Sequence, residues 1–231
     1  MTFFTLDKKG TAAALLMGFV IFLCGYLAFS ISIGLILLLS LFEFLVLSYI
    51  VTEIGSYKKK KAKLYQKSRG LANVIGNGLT VFLLSIILVL LSNSSLKELI
   101  VFSMIASVAG ITSDKFSSEL AVLYTSNPID ILTFKRVEKG TSGGVTAVGF
   151  FFGYIGSFII GLDAYALSLI FHLNSAYLLV LLISLAGFIG NIADSIAGHF
   201  EERGYGNKFT SNFICSLISA IFGYIFALIA I

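Results

Sequence analysis

The sequence predicts an all-α protein, a polytopic bundle of about seven transmembrane helices in a single domain that spans residues 1–231. Of the 231 residues, 58% are hydrophobic and only 12% are charged, about half the charged share of a soluble domain. Long apolar runs such as TAAALLMGFVIFLCGYLAFS reach the ~20 residues that cross a bilayer. Because lipid offers no hydrogen-bond partners to the backbone, we expect these runs to be helical and the lipid bilayer to surround them.

The apolar runs define the spans in order along the chain. The first run is followed at once by a second and lacks a small-residue cleavage site, so we predict an anchored span and not a removed signal peptide. Residues 162–174 either continue the fifth span or form a surface segment. The predicted spans are 11–29, 31–52, 71–92, 98–123, 144–161, 175–198 and 209–230.

The basic residues indicate the orientation of the bundle. With the N-terminus in the cytoplasm, all but two of the sixteen lysines and arginines fall on the cytoplasmic side, the exceptions being Lys97 and Lys115. The net charge of +4 therefore reports topology, and we expect no nucleic-acid partner. Within the segment SYKKKKAKLYQKSRG, lysines 58–61 are predicted to anchor the chain to anionic lipids of the inner leaflet.

Cysteine and histidine do not form a recognisable metal motif. Cys24 and Cys215 lie in apolar runs without CxxC or Cys/His spacing, and His172 and His199 are isolated. We interpret the cysteines as buried apolar side chains and expect no histidine-based metal site.

Charged residues inside spans are costly, so each is a functional candidate. Glu43 stands alone in its span, whereas the stretch SDKFSSEL, residues 113–120, is richer. On a helix, Asp114 and Ser118 share one face, and Lys115 and Glu119 share the adjacent one. A Lys115–Glu119 pair would neutralise two charges and leave Asp114 to face a different cation.

A further acid, Asp194, lies in a stripe of small residues in the sixth span. Gly187, Gly190, Asp194 and Gly198 fall on one helical face of GFIGNIADSIAGHF. Small residues at this spacing allow another helix to approach closely. Asp194 would be pressed into that contact, where its charge needs a partner.

The predicted topology brings these polar residues to one depth at the cytoplasmic side. Transporters more often place such groups at the midplane on interrupted helices. A cytoplasmic cluster of carboxylates, amides and an arginine suits a nucleotide phosphate chain with Mg²⁺, which prefers carboxylate and phosphate oxygens. The polar residues expected to converge are Arg69, Asn73, Asn77, Asp114, Glu119 and Asp194.

The stretch KRVEKGTSGGVTAVG, residues 135–149, precedes the fifth span at the same depth. Gly140, Gly143 and Gly144 allow close backbone approach, and Thr141 and Ser142 are suitable caps for the following helix. Backbone N–H groups at such a helix start attract anions. The stretch is not a Walker A loop, and a glycine-rich cap is also common without any ligand.

Five segments together resemble a known family, the integral-membrane phytyl-phosphate kinases, which are distantly related to phytol and dolichol kinases and to CDP-diacylglycerol synthase. The resemblance runs from about residue 50 to the C-terminus. The segments are RGLANVIGNG (69–78), SDKFSSEL (113–120), VEKGTSGGVTAVG (137–149), GNIADSIAG (190–198) and NKFTSNF (207–213).

The resemblance implies a kinase that uses CTP and Mg²⁺ to phosphorylate an isoprenoid monophosphate of the phytyl or geranylgeranyl type to the diphosphate. The chain departs from the family pattern at three places: Lys115 stands in place of a threonine, Leu120-Ala121 in place of Ile-Gly, and Ser142 in the usual GTDGG. The implied metal ligands are Asp114, Glu119 and Asp194, with Arg69 joining them as a catalytic residue. The implied nucleotide site consists of Arg69, Asn73, Asn77, Lys139, Gly140, Thr141, Ser142, Gly143 and Gly144, supported by Ser118, Ser195 and Asn212.

Alternative functions remain open from the sequence. A cytidylyltransferase or a polyprenol kinase would use the same nucleotide site. A transporter or lipid flippase would use the same carboxylates to relay protons or cations. The clustering at the cytoplasmic side and the glycine-rich turn favour the enzyme.

Overall fold

The computed structural model describes residues 5–66, 68–124 and 127–231. Seven helices within these ranges are long and apolar enough to cross a membrane, which confirms the predicted helical bundle. The helices are α1 (Lys8–Ala28), α2 (Ile31–Glu53), α3 (Ser56–Lys61), α4 (Leu71–Leu90), α5 (Lys97–Tyr124), α6 (Ala147–Gly161), α7 (Asp163–Ile170), α8 (Ala176–Glu201) and α9 (Lys208–Ala230). Between α5 and α6, β1 (Ile129–Asp130) pairs antiparallel with β2 (Gly144–Val145).

The fifth span differs from its prediction at both ends. Helix α6 begins at Ala147, three residues later than expected, because its N-cap is Thr146, whose hydroxyl accepts the Gly149 N–H at 2.9 Å. The prediction that Thr141 and Ser142 cap this helix is therefore wrong. At the other end, α7 continues α6 after Gly161, so the apolar segment runs from Ala147 to Ile170.

Helix α5 is the centre of the bundle. Of the most apolar 18-residue stretch of α5, 94% is buried inside the protein, compared with 22% for the corresponding stretch of α1. It contacts α2, α4, α6, α8 and α9. Small residues permit this many neighbours, and one buried hydroxyl of α5 bonds across to α9, where Ser103 donates to the Ala220 carbonyl at 2.7 Å. The acids of α5 are thereby held at fixed positions.

Helices α8 and α9 pack closely, as the stripe of small residues predicts. A Cβ atom added at Gly190 would lie 2.6 Å from the Cys215 carbonyl oxygen, a distance that real Cβ atoms do not adopt. Cys215 itself is fully buried, in agreement with its interpretation as an apolar side chain. The close approach brings the start of α9 next to Asp194 near the end of α8.

The connection from α2 to α4 folds back onto the bundle. Its residue Lys59 is only 2% exposed, whereas Lys58, Lys60 and Lys61 are exposed. The prediction that lysines 58–61 all anchor to lipid is therefore wrong for Lys59. Its ammonium group points inward because three oxygen atoms receive its hydrogen bonds there.

Candidate functional site

A polar cavity of about 350 Å³ lies at one end of the bundle. Its walls come from the start of α4, the second half of α5, the loop before α6, the end of α8 and the start of α9. The first four are the segments that were expected to converge, whereas the start of α9, which carries Asn212, was implied only by the family resemblance. The predicted site residues that line it are Arg69, Asn73, Asn77, Asp114, Ser118, Glu119, Lys139, Gly140, Thr141, Ser142, Gly143, Gly144, Asp194, Ser195 and Asn212.

Two carboxyl groups face each other across the α5–α8 contact. The Asp114 side chain lies within hydrogen-bonding reach of Asp194. Asp194 is 6% exposed, and its Oδ1 atom is buried with no hydrogen-bond partner. Two facing carboxylates repel each other unless a proton or a cation lies between or beside them. The pair is therefore a natural binding place for a cation.

Two amide side chains near these acids also have unpartnered buried atoms. Asn212 on α9 has a free Oδ1, and Asn191 on α8 has a free Nδ2, and both line the same cavity. Buried polar atoms without partners are uncommon and point to a missing ligand or water. Carboxylate and amide oxygens form the donor set that Mg²⁺ prefers. Asp114, Asp194 and Asn212 thus fit a magnesium ion.

Lys208 supplies a cation that the sequence analysis did not include in the site. Its Nζ lies 3.4 Å from Asp194 Oδ2, at the first residue of α9. The ammonium group accounts for the cation that Asp114 was expected to face, together with Arg69. The motif NKFTSNF contained the signal, because a lysine there begins the helix that carries Asn212.

Glu119 has a different environment from the two aspartates. Its carboxylate pairs with Lys59 at 2.8 Å, with Arg69 at 3.2 Å and with Lys115 one helical turn earlier, and it accepts a bond from the Thr52 hydroxyl at 3.2 Å. Within the described residues, no group of three acidic, histidine or cysteine side chains is arranged to hold a metal. A metal at Glu119 would meet three positive charges. The geometry thus makes Glu119 the centre of a cation cluster, formed by Lys59, Arg69 and Lys115.

Arg69 connects this cluster to the neighbouring amides. Its guanidinium bonds Glu119 and, at 3.4 Å, the Ser48 hydroxyl, while its buried Nε has no partner. Burial lowers the pKa of Arg69, and the nearby Glu119 and Asp114 oppose that shift. The backbone of Arg69 is fixed as well, because its N–H donates to the Thr5 carbonyl at 2.7 Å. Arg69 thus lines the cavity and has one buried donor, Nε, without a partner.

Two further amides continue from Arg69 along α4. The Asn77 amide donates to Asn73 Oδ1 at 3.3 Å, so both side chains stay on the cavity face. The supporting serines also line the cavity. Ser195 donates to the Asn191 carbonyl at 3.1 Å, and Ser118 donates to the Lys115 carbonyl at 3.4 Å.

The glycine-rich loop forms one wall of the cavity and already uses several of its N–H groups. Thr141 N–H donates to the Glu138 carbonyl, Ser142 N–H to Glu202 Oε1 at 2.8 Å, and Gly144 N–H to the Thr141 carbonyl. Lys139 reaches the Val122 carbonyl at the end of α5, at 2.6 Å. These bonds fix the loop against α5 and α8.

The packing of Gly143 explains why the loop needs glycine. Its φ is +79°, and an added Cβ would lie 2.6 Å from the His199 backbone nitrogen. A residue with a side chain would therefore be strained in its backbone and would also collide with α8. The packing of the loop against α8 is therefore sufficient to explain a glycine at position 143, with or without a bound ligand.

A hydrogen-bonded pair on the far side of this loop also escaped the sequence analysis, which treated His199 as isolated. The His199 Nδ1 atom lies 2.6 Å from Asp130 Oδ2. Asp130 Oδ1 accepts the Thr133 N–H and hydroxyl, both at 2.8 Å. Burial acts to raise the pKa of Asp130, but these hydrogen bonds outweigh it and hold the pKa below its usual range. The pair ties β1 to the end of α8.

Comparison with known proteins agrees with this membrane architecture. The family model for "Integral membrane protein DUF92" matches residues 2–218. The chain belongs to this family. This DUF92 protein is 37% identical over 220 residues to an uncharacterized membrane protein of Methanocaldococcus jannaschii, an alignment that covers 94% of this chain and 84% of the relative. No solved structure matches the chain.

Two plant relatives are more divergent. Protein PGR of Arabidopsis thaliana is 31% identical over 217 residues, which cover 84% of this chain and 71% of PGR. The chloroplastic protein VTE6 of the same plant is 27% identical over 230 residues, which cover 97% of this chain and 65% of VTE6. Nearly the whole DUF92 protein therefore aligns with about two thirds of VTE6.

Proposed function

We propose that this protein is a membrane-embedded kinase that transfers the γ-phosphoryl group of a nucleotide, CTP, to an isoprenoid monophosphate and releases the diphosphate. The observation that carries the proposal is the facing pair Asp114 and Asp194, which lines the cavity together with Arg69 and Lys208. Within this pair, the buried Oδ1 atom of Asp194 has no hydrogen-bond partner. The motifs resembling phytyl-phosphate kinases supply the nucleotide and the lipid class, and the alignment with VTE6 supports that resemblance.

In this proposal the two aspartates and the adjacent amide bind the metal, and the cations bind phosphate. Asp114, Asp194 and Asn212 would hold Mg²⁺, which when bound neutralises phosphate charge and orients the phosphate oxygens. Lys208 would move from Asp194 to a phosphate oxygen, since its side chain is half exposed and flexible. Glu119 is left outside the metal site because it already neutralises part of the cation cluster.

The cation cluster would bind the acceptor or donor phosphates. Arg69 keeps its Nε free, and a guanidinium suits phosphate through its planar set of donors. Glu119 holds that guanidinium in place, so Glu119 acts as a positioning residue. An acceptor phosphate is already ionised and needs no strong base, so catalysis would come from in-line positioning and charge neutralisation.

The experiment is a transfer assay on the purified protein in lipid nanodiscs. The protein is incubated with CTP or ATP labelled at the α or the γ position, with Mg²⁺ and a panel of prenols and prenyl phosphates. We expect γ-label in the prenyl diphosphate, formed from the monophosphate. Asp194→Asn should lower the amount of this product on the order of a hundredfold. Glu98→Gln, near the start of α5 and far from the site, should leave it unchanged.

Other outcomes would replace the proposal with a specific rival. Label passing only to prenols indicates a polyprenol kinase, and α-label in the lipid indicates a cytidylyltransferase. No labelled lipid together with a substrate-dependent proton current in liposomes indicates a transporter.

A further inference from the structure

A second, apolar cavity of about 70 Å³ adjoins the polar one. It lies between α1, α2 and α4, with Ile111 of α5 also in its wall. The two cavities share five lining residues at their junction. The shared residues are Phe44, Arg69, Asn73, Asn77 and Ile111.

The chemistry of the lining changes sharply at this junction. Beyond the shared residues the wall is mainly apolar, with Thr5 and Ser48 as its polar side chains. The apolar part includes Ala14, Met17, Gly18, Leu41, Leu45 and Val74. Most of these side chains are half-buried, so the cavity lies close to the lipid-facing surface of the bundle. A single ligand reaching across the junction must have a polar group at one end and a hydrocarbon at the other.

We infer that this cavity between α1, α2 and α4 binds the head-proximal part of the acceptor's hydrocarbon tail, with the acceptor phosphate held at Arg69 and Asn73. The inference rests on the proposed function for the identity of the acceptor. The occupant is a single-chain phosphate amphiphile that enters from the bilayer. A nucleotide does not suit this cavity, because the lining beyond the junction is mainly apolar and offers no second cation for its phosphates.

The cavity acts on position more than on affinity. A tail that moves from lipid into an apolar cavity exchanges one hydrocarbon environment for another, so little hydrophobic free energy is gained. The gain is that the phosphate is held at a fixed depth beside Arg69, which in-line transfer requires. Residues in this wall therefore select the shape of the tail close to the phosphate.

The absence of tryptophan from the sequence allows a direct test. Met17→Trp places a single fluorophore in the cavity wall, and Leu15→Trp places one on the same helix facing lipid, at a position that is 64% exposed. Each variant is titrated in detergent with two compounds that carry bromine at the same position near the head group. One is an alkyl phosphate, and the other is the alcohol with the same chain. Bromine quenches tryptophan on contact.

We expect saturable quenching at position 17 by the phosphate and not by the alcohol, and linear quenching at position 15 by both. Equal quenching of both positions, or no preference for the phosphate at position 17, would overturn the inference. Saturable quenching at position 17 in a protein that transfers no phosphoryl group would reject the proposed kinase and retain the tail site.

A filling variant gives a second readout that does not depend on fluorescence. Ala14→Phe adds a ring to the cavity and should lower kcat/KM by about tenfold for a branched long-chain prenyl phosphate. The value for an unbranched alkyl phosphate should fall less, because a slender chain needs less space. A matched Leu15→Phe change should leave both values unchanged, and a uniform loss for both acceptors in Ala14→Phe would count against a tail site.

Discussion

The Nζ atom of Lys59 lies 2.8 Å from Oε2 of Glu119, and this ion pair joins the short helix α3 to the central helix α5. The same ammonium group donates to the Val51 and Thr52 carbonyls at the end of α2. One buried lysine therefore fixes the end of α2, the loop before α4 and the acid that bonds Arg69. The site depends on this loop as much as on the spans.

Replacing Lys59 should destabilise the protein strongly. Lys59→Gln removes one partner of a buried ion pair and leaves two carbonyl groups short of a donor, a loss of about 3 kcal/mol in the free energy of unfolding. The measurement is the thermal midpoint in detergent. Lys58→Gln, at the adjacent exposed position, is the control and should match wild type. Equal midpoints for the two variants would show that the Lys59 pair contributes nothing to stability.

The aspartate pair predicts a magnesium-dependent gain in stability that does not require turnover. A ligand at a hundred times its Kd adds about 2.7 kcal/mol to the free energy of unfolding. Mg²⁺ should raise the thermal midpoint of wild type, and Asp114→Asn and Asp194→Asn should lose most of that rise. Both variants should also lower phosphoryl transfer on the order of a hundredfold.

Two comparisons make this magnesium prediction specific. Glu98→Gln, at the far end of α5, should keep the full stabilisation by Mg²⁺. Glu119→Gln should also keep it, because its carboxylate faces Lys59, Arg69 and Lys115. If Glu119→Gln abolishes the magnesium effect and Asp194→Asn does not, the metal ligands are assigned wrongly.

Gly143 should be sensitive to substitution for a structural reason. Gly143→Ala combines a positive φ with a Cβ 2.6 Å from the His199 nitrogen, whereas Gly204 has a similar φ of +84° and open space around it. Gly204→Ala should cost about 1 kcal/mol from backbone strain alone. Gly143→Ala should cost clearly more in the same unfolding assay. Equal losses would mean that the loop moves away from α8 without penalty.

Asp130 should make stability depend on acid pH. Its pKa is lowered in the folded protein, so it contributes stability that is present above its unfolded pKa of about 4 and is lost as the pH falls toward the folded value. The thermal midpoint of wild type should therefore decrease as the pH is lowered below about 4. Asp130→Asn should have a lower midpoint at pH 7 and a shallower fall in acid. An unchanged acid profile in the variant would assign the fall to other groups.

The predicted orientation, with the N-terminus and the polar cavity in the cytoplasm, is testable by labelling. In a variant lacking Cys24 and Cys215, single cysteines at the exposed positions Lys60 and Glu138 should react only with reagent on the cytoplasmic side. A cysteine at Ser95, in the connection between α4 and α5, should react from the outside. Labelling of positions 60 and 138 from opposite sides would contradict both the orientation and the shared cavity.

Part of the site followed from sequence patterns because the rule behind it is local. Asp114 and Asp194 are conspicuous as charges inside apolar runs, where each must have a partner. Arg69 and Asn73 stand at the start of a span, so their depth follows from the topology. The structure places all four around one cavity.

The missed features depend on contacts between distant segments. In the sequence, Lys59 is one of four consecutive lysines with nothing to distinguish it. Only the packing of α3 against α5 buries it beside Glu119. In the sequence, His199 is isolated from the other histidine and from the cysteines, but in the fold β1 places Asp130 against it at the end of α8. Lys208 enters the site because α9 packs closely on α8.

The sequence by itself determined the membrane class, the seven helices and the identity of the buried acids, because hydropathy and the cost of buried charge act along the chain. The tertiary structure alone decided how the charges are divided. Glu119 lies among three cations, while Asp114 and Asp194 face each other and the Oδ1 atom of Asp194 has no hydrogen-bond partner. Pairing depends on distances of a few ångströms between helices, and helical periodicity fixes only which face a residue occupies.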